Sequence, residues 1–140
     1  MTIKDAMNLL RKKGYKMTDR REEILKFFSD EAENKYKTAK DLYDHMEKRY
    51  PGISYDTVYR NLHLYHELGI LESTELDGEK HFRMTCGGSH HHHFICKICG
   101  TTKKLNFCPM DYVSKLLGQY IIDDHKFEVY GLCPKCITTN

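Results

Sequence analysis

The sequence predicts an α+β chain in two parts: a helical N-terminal unit ending in a hairpin, and a small C-terminal unit closed by cysteines. Three observations lead there. Capping residues and helix stops recur through the first 69 residues. An Asp77-Gly78 pair stands between two strand-like runs. Composition shifts after Met84, passing through two adjacent glycines into a segment rich in histidine and cysteine. The expected units are residues 1–84 and 91–140, joined by a hinge over 85–90, "TCGGSH".

Residues 3–13 read as a helix stopped by Gly14, since glycine takes the left-handed conformation that ends many helices. Thr18 is placed to cap a helix through Phe28, with Ile24, Leu25 and Phe28 on its inner side. Thr38 caps the next, with Asp41 three residues on, close to a capping box. Pro51-Gly52 ends that helix at Tyr50. Ser54 then caps "YDTVYRNLHLYHEL", which Gly69 closes. Val58, Leu62, Tyr65 and Leu68 follow a helical period and face inward, while Asp56, Arg60, His63 and Glu67 lie opposite. The run "GILESTELDGEKHFRM" is the hairpin. Helices followed by a hairpin is the order of a winged helix, whose last helix enters the major groove. A small α+β domain with no nucleic-acid partner fits the same order.

The second unit offers a strand-like "HHHFIC", a helical stretch from Asp111 to Leu117 and a strand-like "HKFEVYGLC". A unit this small needs a metal or a partner subunit to hold together. The start of the chain has no signal-peptide pattern, and no stretch approaches a membrane span. A cytosolic protein with reduced thiols is expected, and its six cysteines then point to metal rather than disulfides. Cys96-Lys-Ile-Cys99 and Cys133-Pro-Lys-Cys136 are two CxxC pairs. Together they supply the four thiolates of a structural zinc site. The alternative is a redox dithiol, which one pair alone would leave open.

Charge says less. The net charge is +2, with 16 basic and 16 acidic residues up to position 85. The one cationic cluster, Arg11, Lys12, Lys13, Lys16, Arg20 and Arg21, fits a solvated helix face as well as a phosphate-binding one.

The run His90 to His93 is internal and continues into Phe94-Ile95-Cys96, unlike a terminal purification tag. In an extended strand, alternate side chains point to opposite faces. His91 and His93 then share one face, and His90 and His92 the other, so one tetrapeptide can feed two metal sites. Cys86, Cys108, Asp111 and His125 are candidate partners. A mostly solvated run is the alternative. No HExxH motif occurs, and catalytic zinc needs an open position beside an acid/base carboxylate. An enzyme is therefore not expected. A zinc-stabilised protein-interaction module is a further possibility, one that leaves the "DTVYRNL" face without duties.

"HHHHFICKICG" with "VYGLCPKC", preceded by "ISYDTVYRNLHLYHELGI", resembles the ferric uptake regulator superfamily over nearly the whole chain. The resemblance implies a homodimer. Each subunit would carry an N-terminal winged-helix DNA-binding domain and a small C-terminal α/β dimerisation domain. The protein would be a metal-dependent transcriptional repressor in the cytoplasm that binds an inverted-repeat DNA operator. Neither a membrane nor a small-molecule substrate other than the metal ion is implied. Carried over residue by residue, Cys96, Cys99, Cys133 and Cys136 form the structural zinc site. His91 and His93 belong to a sensing site between the domains. His90, His92, Asp111 and His125 fall in a further site within the dimerisation domain. Tyr59 and Arg60 match the DNA-contacting pair of the recognition helix, and Lys16 the basic residue that reaches the minor groove.

The departures from the family pattern concern the metal. Iron- and peroxide-sensing members place a histidine where this chain has Tyr36 and Lys37, and iron members a carboxylate where it has Lys104. Cys86 and Cys108 are available instead. Cys86, His91, His93 and Cys108 would make an S₂N₂ set, which favours tetrahedral zinc. The resemblance therefore leans to the zinc uptake regulator branch, with zinc both structural and sensed and zinc-uptake genes as targets. The alternative is a repressor of the same superfamily that senses iron, manganese or peroxide.

Overall fold

The computed structural model of the chain describes residues 1–29, 35–86 and 90–139. It divides into two compact units, Met1–Gly87 and Gly88–Asn140. The hinge expected over 85–90 includes 87–89, which lie outside the described residues.

Each helix of the first unit opens on a side-chain cap, as expected for Thr18, Thr38 and Ser54. Helix α1 (Ile3–Lys12) opens on a capping box: the Asp5 amide donates to Thr2 Oγ1 at 3.1 Å, and the Thr2 amide to Asp5 Oδ2 at 3.0 Å. In α2 (Asp19–Phe28) the Arg21 amide donates to Thr18 Oγ1 at 3.2 Å. Helix α3 (Ala39–Arg49) repeats the capping box with Thr38 and Asp41. In α4 (Tyr55–Glu67) the Thr57 amide donates to Ser54 Oγ at 3.0 Å. A cap of this kind stabilises a helix by about 1 kcal/mol.

Strands β2 (Leu71–Leu76) and β3 (Glu79–Met84) pair antiparallel, with Leu76 opposite Glu79. The two-residue connection has φ of 51° at Asp77 and 80° at Gly78, as a primed turn requires. A two-residue strand, β1 (Lys37–Thr38), extends the sheet by pairing Lys37 with Phe82 and Thr38 with His81. Sequence pattern alone does not reveal it. Leu10, Ile24, Leu25, Leu42, Met46, Val58, Leu62, Tyr65 and Ile70 fill the core at 1% exposure or less. Each such side chain contributes roughly 1.5–3 kcal/mol by leaving water. The Tyr65 hydroxyl donates to the Arg21 carbonyl at 3.0 Å, joining α4 to α2. Its burial pushes the phenol pKa up.

In the second unit β4 (His92–Cys96) lies between β5 (Thr102–Leu105), antiparallel, and β6 (Glu128–Gly131), parallel. Helix α5 (Met110–Leu116) buries no residue, and α6 (Pro134–Thr139) follows Cys133. A cysteine cluster occupies much of the buried centre, Cys96, Cys133 and Cys136 with Phe94 and Cys99 against them, and Ile95 is fully buried as well.

Candidate metal centres and DNA-facing helix

The parallel pairing of β4 with β6 sets Cys96 beside Gly131, two residues before Cys133. This is how the 33-residue gap between the CxxC pairs closes. The first pair sits on a tight knuckle. The Gly100 amide donates to the Cys96 carbonyl at 3.0 Å, and Gly100 has a φ of 75°. The second pair straddles the start of α6, where the Ile137 amide donates to the Cys133 carbonyl at 3.0 Å. All four sulfurs lie within 4.8 Å of one another. Cys99 Sγ and Cys133 Sγ are 3.7 Å apart. A tetrahedron with zinc–sulfur bonds of about 2.3 Å has edges near ~3.8 Å, which the Cys99–Cys133 separation matches.

The protein prepares this set electrostatically. Burial alone would raise the Cys96 pKa, but backbone N–H groups at Cys99, Cys133 and Ile98 outweigh it and bring it down to about 6. The Cys133 amide donates to Cys96 Sγ at 3.4 Å. Cys136 goes the other way, pushed up to about 12 by burial and by the neighbouring sulfurs. Four thiolates cannot share one buried space without a cation, and a bound divalent ion favours the deprotonated form of every ligand.

A second set lies on the His90/His92 face of β4, and here the structure corrects the expected grouping. Cys108, expected with Cys86, His91 and His93, sits with His90, His92 and His125 instead. Cys108 Sγ is 3.4 Å from His92 Nε2, 3.4 Å from His90 Nε2 and 3.6 Å from His125 Nε2. The three Nε2 atoms are 3.1, 3.1 and 3.3 Å apart. Those six distances are the edges of a small tetrahedron. Zinc bonds of about 2.0 Å to nitrogen and 2.3 Å to sulfur give nitrogen–nitrogen edges near ~3.3 Å and nitrogen–sulfur edges near ~3.5 Å.

Asp111, expected in this set, is exposed and outside it. The reason is local. Cys108 lies in the connection just before Pro109 and α5, whereas Asp111 is already on the first turn of α5. His92 is 7% exposed and packs its ring against Phe127 at 5.4 Å. Its pKa is lowered by burial, then by His90 and His125, so the ring is held in the neutral form that binds metals.

His91 and His93 occupy the other face, their ring centroids 4.8 Å apart. His92 and His93, consecutive in β4, face opposite ways. Cys86 is half-buried in the first unit. Lys37 is held within the first unit: its ammonium donates to the Phe27 carbonyl at 2.9 Å and lies 4.4 Å from the Phe27 ring centroid.

On α4, Tyr59 and Arg60 are exposed, 52% for Tyr59 and 80% for the Arg60 side chain. Tyr55, not singled out from the sequence, stacks with Tyr59 at 6.5 Å and lies 5.4 Å from Tyr43. Lys16 is exposed, and its carbonyl accepts from the Arg21 guanidinium.

Capped helices with a hairpin in one unit, and two four-residue Cys/His sets in the other, are the parts of a metal-responsive DNA-binding protein. Residues 12–130 match the ferric uptake regulator family, and the chain belongs to that family, whose members are dimeric DNA-binding transcriptional regulators. It is 52% identical over 136 residues to a ferric uptake regulation protein of Staphylococcus epidermidis, covering 97% of this chain and 96% of that one. The fold matches the ferric uptake regulator of Helicobacter pylori with a TM-score of 0.74 at 16% identity, over 98% of this chain and 95% of that one. It also matches a zinc uptake regulator complexed with zinc and DNA, with a TM-score of 0.67 at 22% identity, over 98% and 93% of the two chains. Among the described residues no helix is long and apolar enough to cross a membrane.

Proposed function

We propose that the chain is a zinc-responsive repressor that binds an inverted-repeat operator as a metal-loaded homodimer in the cytoplasm and controls zinc uptake. One observation carries the choice of metal. The residues assigned to the sensed ion, Cys86, His91 and His93, offer thiol and imidazole alone, and Lys104 stands where iron-sensing members place a carboxylate. Such sets suit zinc, whereas carboxylate-rich octahedral sites suit harder ions.

In this reading Cys96, Cys99, Cys133 and Cys136 hold a structural zinc that supplies folding energy to the small unit. Cys86 at the end of the first unit joins His91 and His93 of the second around the sensed ion. That linkage limits the relative positions of the two DNA-binding units, so two α4 helices can enter major-groove faces about one helical turn, roughly 34–36 Å, apart. Tyr59 and Arg60 read base edges, and Lys16 reaches the minor groove. His90, His92, Cys108 and His125 hold a further zinc that stiffens the second unit. Tyr112, Leu116, Tyr120 and Ile121, 65–93% exposed in the single chain, are the apolar surface that a second copy covers. The metal's effect on DNA binding equals its differential affinity for the binding-competent form, and DNA must tighten metal binding by the same factor.

Iron is the second reading, favoured by the 52% identity to a protein named for ferric uptake regulation. The deciding experiment is DNA binding by metal-stripped dimer, titrated separately with zinc, iron(II) and manganese(II). Zinc alone restoring binding at nanomolar or lower free metal supports the zinc reading; restoration by iron(II) at lower free concentration replaces it.

A further inference from the structure

Arg60 is engaged before any DNA arrives. Its Nη2 lies 2.8 Å from Asp56 Oδ2, an ion pair to the residue one helical turn earlier on α4, with 80% and 69% of the two side chains exposed. An exposed ion pair at this spacing does little for helix stability, so its consequence lies in what it does to the guanidinium. Asp56 is short and stands in the first turn of α4, which the Ser54 cap fixes. Arg60 is long and otherwise explores many rotamers. The carboxylate beside one Nη favours the rotamers of Arg60 that keep this ion pair and narrows the range the guanidinium explores. It also makes the pair formally neutral.

Phosphate and base edges respond differently to such a pair. A phosphate is drawn to a bare guanidinium by its charge and is repelled by an adjacent carboxylate. A guanine edge presents two neutral acceptors, O6 and N7, and needs two donors held in a plane. We infer that Asp56 is a specificity-determining positioning residue: it holds Arg60 for a base edge and withholds it from the phosphate backbone. This rests on the reading of Arg60 as a base contact. A plain structural role is also open to Asp56, because an acid in the first turn stabilises a helix N-terminus, and the experiment must separate the two.

The zinc-loaded full chain and its Arg60→Ala, Asp56→Asn and Asp56→Glu variants are used to select from a pool of duplexes with a randomised centre. Affinity for one unrelated duplex is measured against salt in parallel. Arg60→Ala identifies the base pair that Arg60 reads, as the position whose preference relaxes. Asp56→Asn is expected to lower the preference at that same base pair about 3–10-fold. It is also expected to raise affinity for the unrelated duplex and to steepen its salt slope by about one unit per subunit. Asp56→Glu keeps a carboxylate one turn from Arg60 and is expected to stay within about 2-fold of the parent. An Asp56→Asn variant that weakens on all duplexes equally, or matches the parent at the Arg60 position, overturns the inference while leaving the Arg60 reading intact. If Arg60→Ala relaxes no position, the base-contact reading itself fails and the inference falls with it.

Discussion

The Cys108 thiol lies 3.4 Å from the His92 imidazole, and that distance ties a residue ahead of α5 to the first residue of β4. Cys108→Ala and His125→Ala are each expected to weaken zinc binding at that set by at least about 100-fold, since losing even an outer-shell partner costs about 10–100-fold. Asp111→Asn is expected to stay within about 2-fold. Chelator competition on the dimer checks this; an Asp111→Asn loss as large as that of Cys108→Ala would return the carboxylate to the set.

Replacing Cys99 by serine is expected to unfold the second unit, because the cysteine cluster makes up much of its small buried centre. The first unit, with its own hydrocarbon core, should keep its helical signal. Limited proteolysis with far-UV circular dichroism reads both. A Cys99→Ser protein that remains dimeric with unchanged protection of residues 90–139 would contradict the assignment.

The two classes of DNA contact separate by salt. Arg60→Ala is expected to cost about 1–3 kcal/mol on the selected operator and to relax one base position. Lys16→Ala is expected to weaken binding across sequences and to flatten the salt slope by about one unit. Parent-like binding by both variants would put the recognition surface elsewhere.

Acid stability should carry a signature of His66. Its ring bonds Ser73 Oγ at 3.0 Å and packs edge-on against Phe82. Its pKa is lowered from 6.5, first by burial and then by Lys80 and His63. The unfolded chain therefore takes up the proton more readily than the folded one. The stability at stake is fully present above the unfolded value and is lost as pH falls through it toward the lower folded value. Thermal midpoints of the zinc-loaded protein from pH 7.5 downward should fall less steeply for His66→Gln than for the parent. Parallel curves would contradict this.

The helices of the first unit were legible because their caps are local: Thr18, Thr38 and Ser54 each serve an amide three residues on. The hairpin was legible because Asp77-Gly78 admits one tight turn. Strand β1 was not, since two residues carry no periodicity and their pairing to β3 is long-range. Nor was β5, whose "TKKL" lacks the alternation of a half-buried strand. The opposite facing of His92 and His93 follows from the pleat of β4. The place of Cys108 depends on how the connection from β5 to α5 folds back over β4, a tertiary fact that spacing does not contain. The cysteine knuckles needed only their CxxC spacing, while the parallel partner that joins them, β6, gives their closure its physical cause.

The most direct measurement is operator binding against free zinc by the parent dimer and its His91→Ala variant, with metal content and dimer state followed in parallel. His91→Ala is expected to remain a folded dimer, to retain the four-cysteine zinc and the zinc held by His90, His92, Cys108 and His125, and to lose zinc-dependent binding. A folded His91→Ala dimer that binds operator with the parent's zinc dependence would contradict a switch built on the odd-numbered histidines.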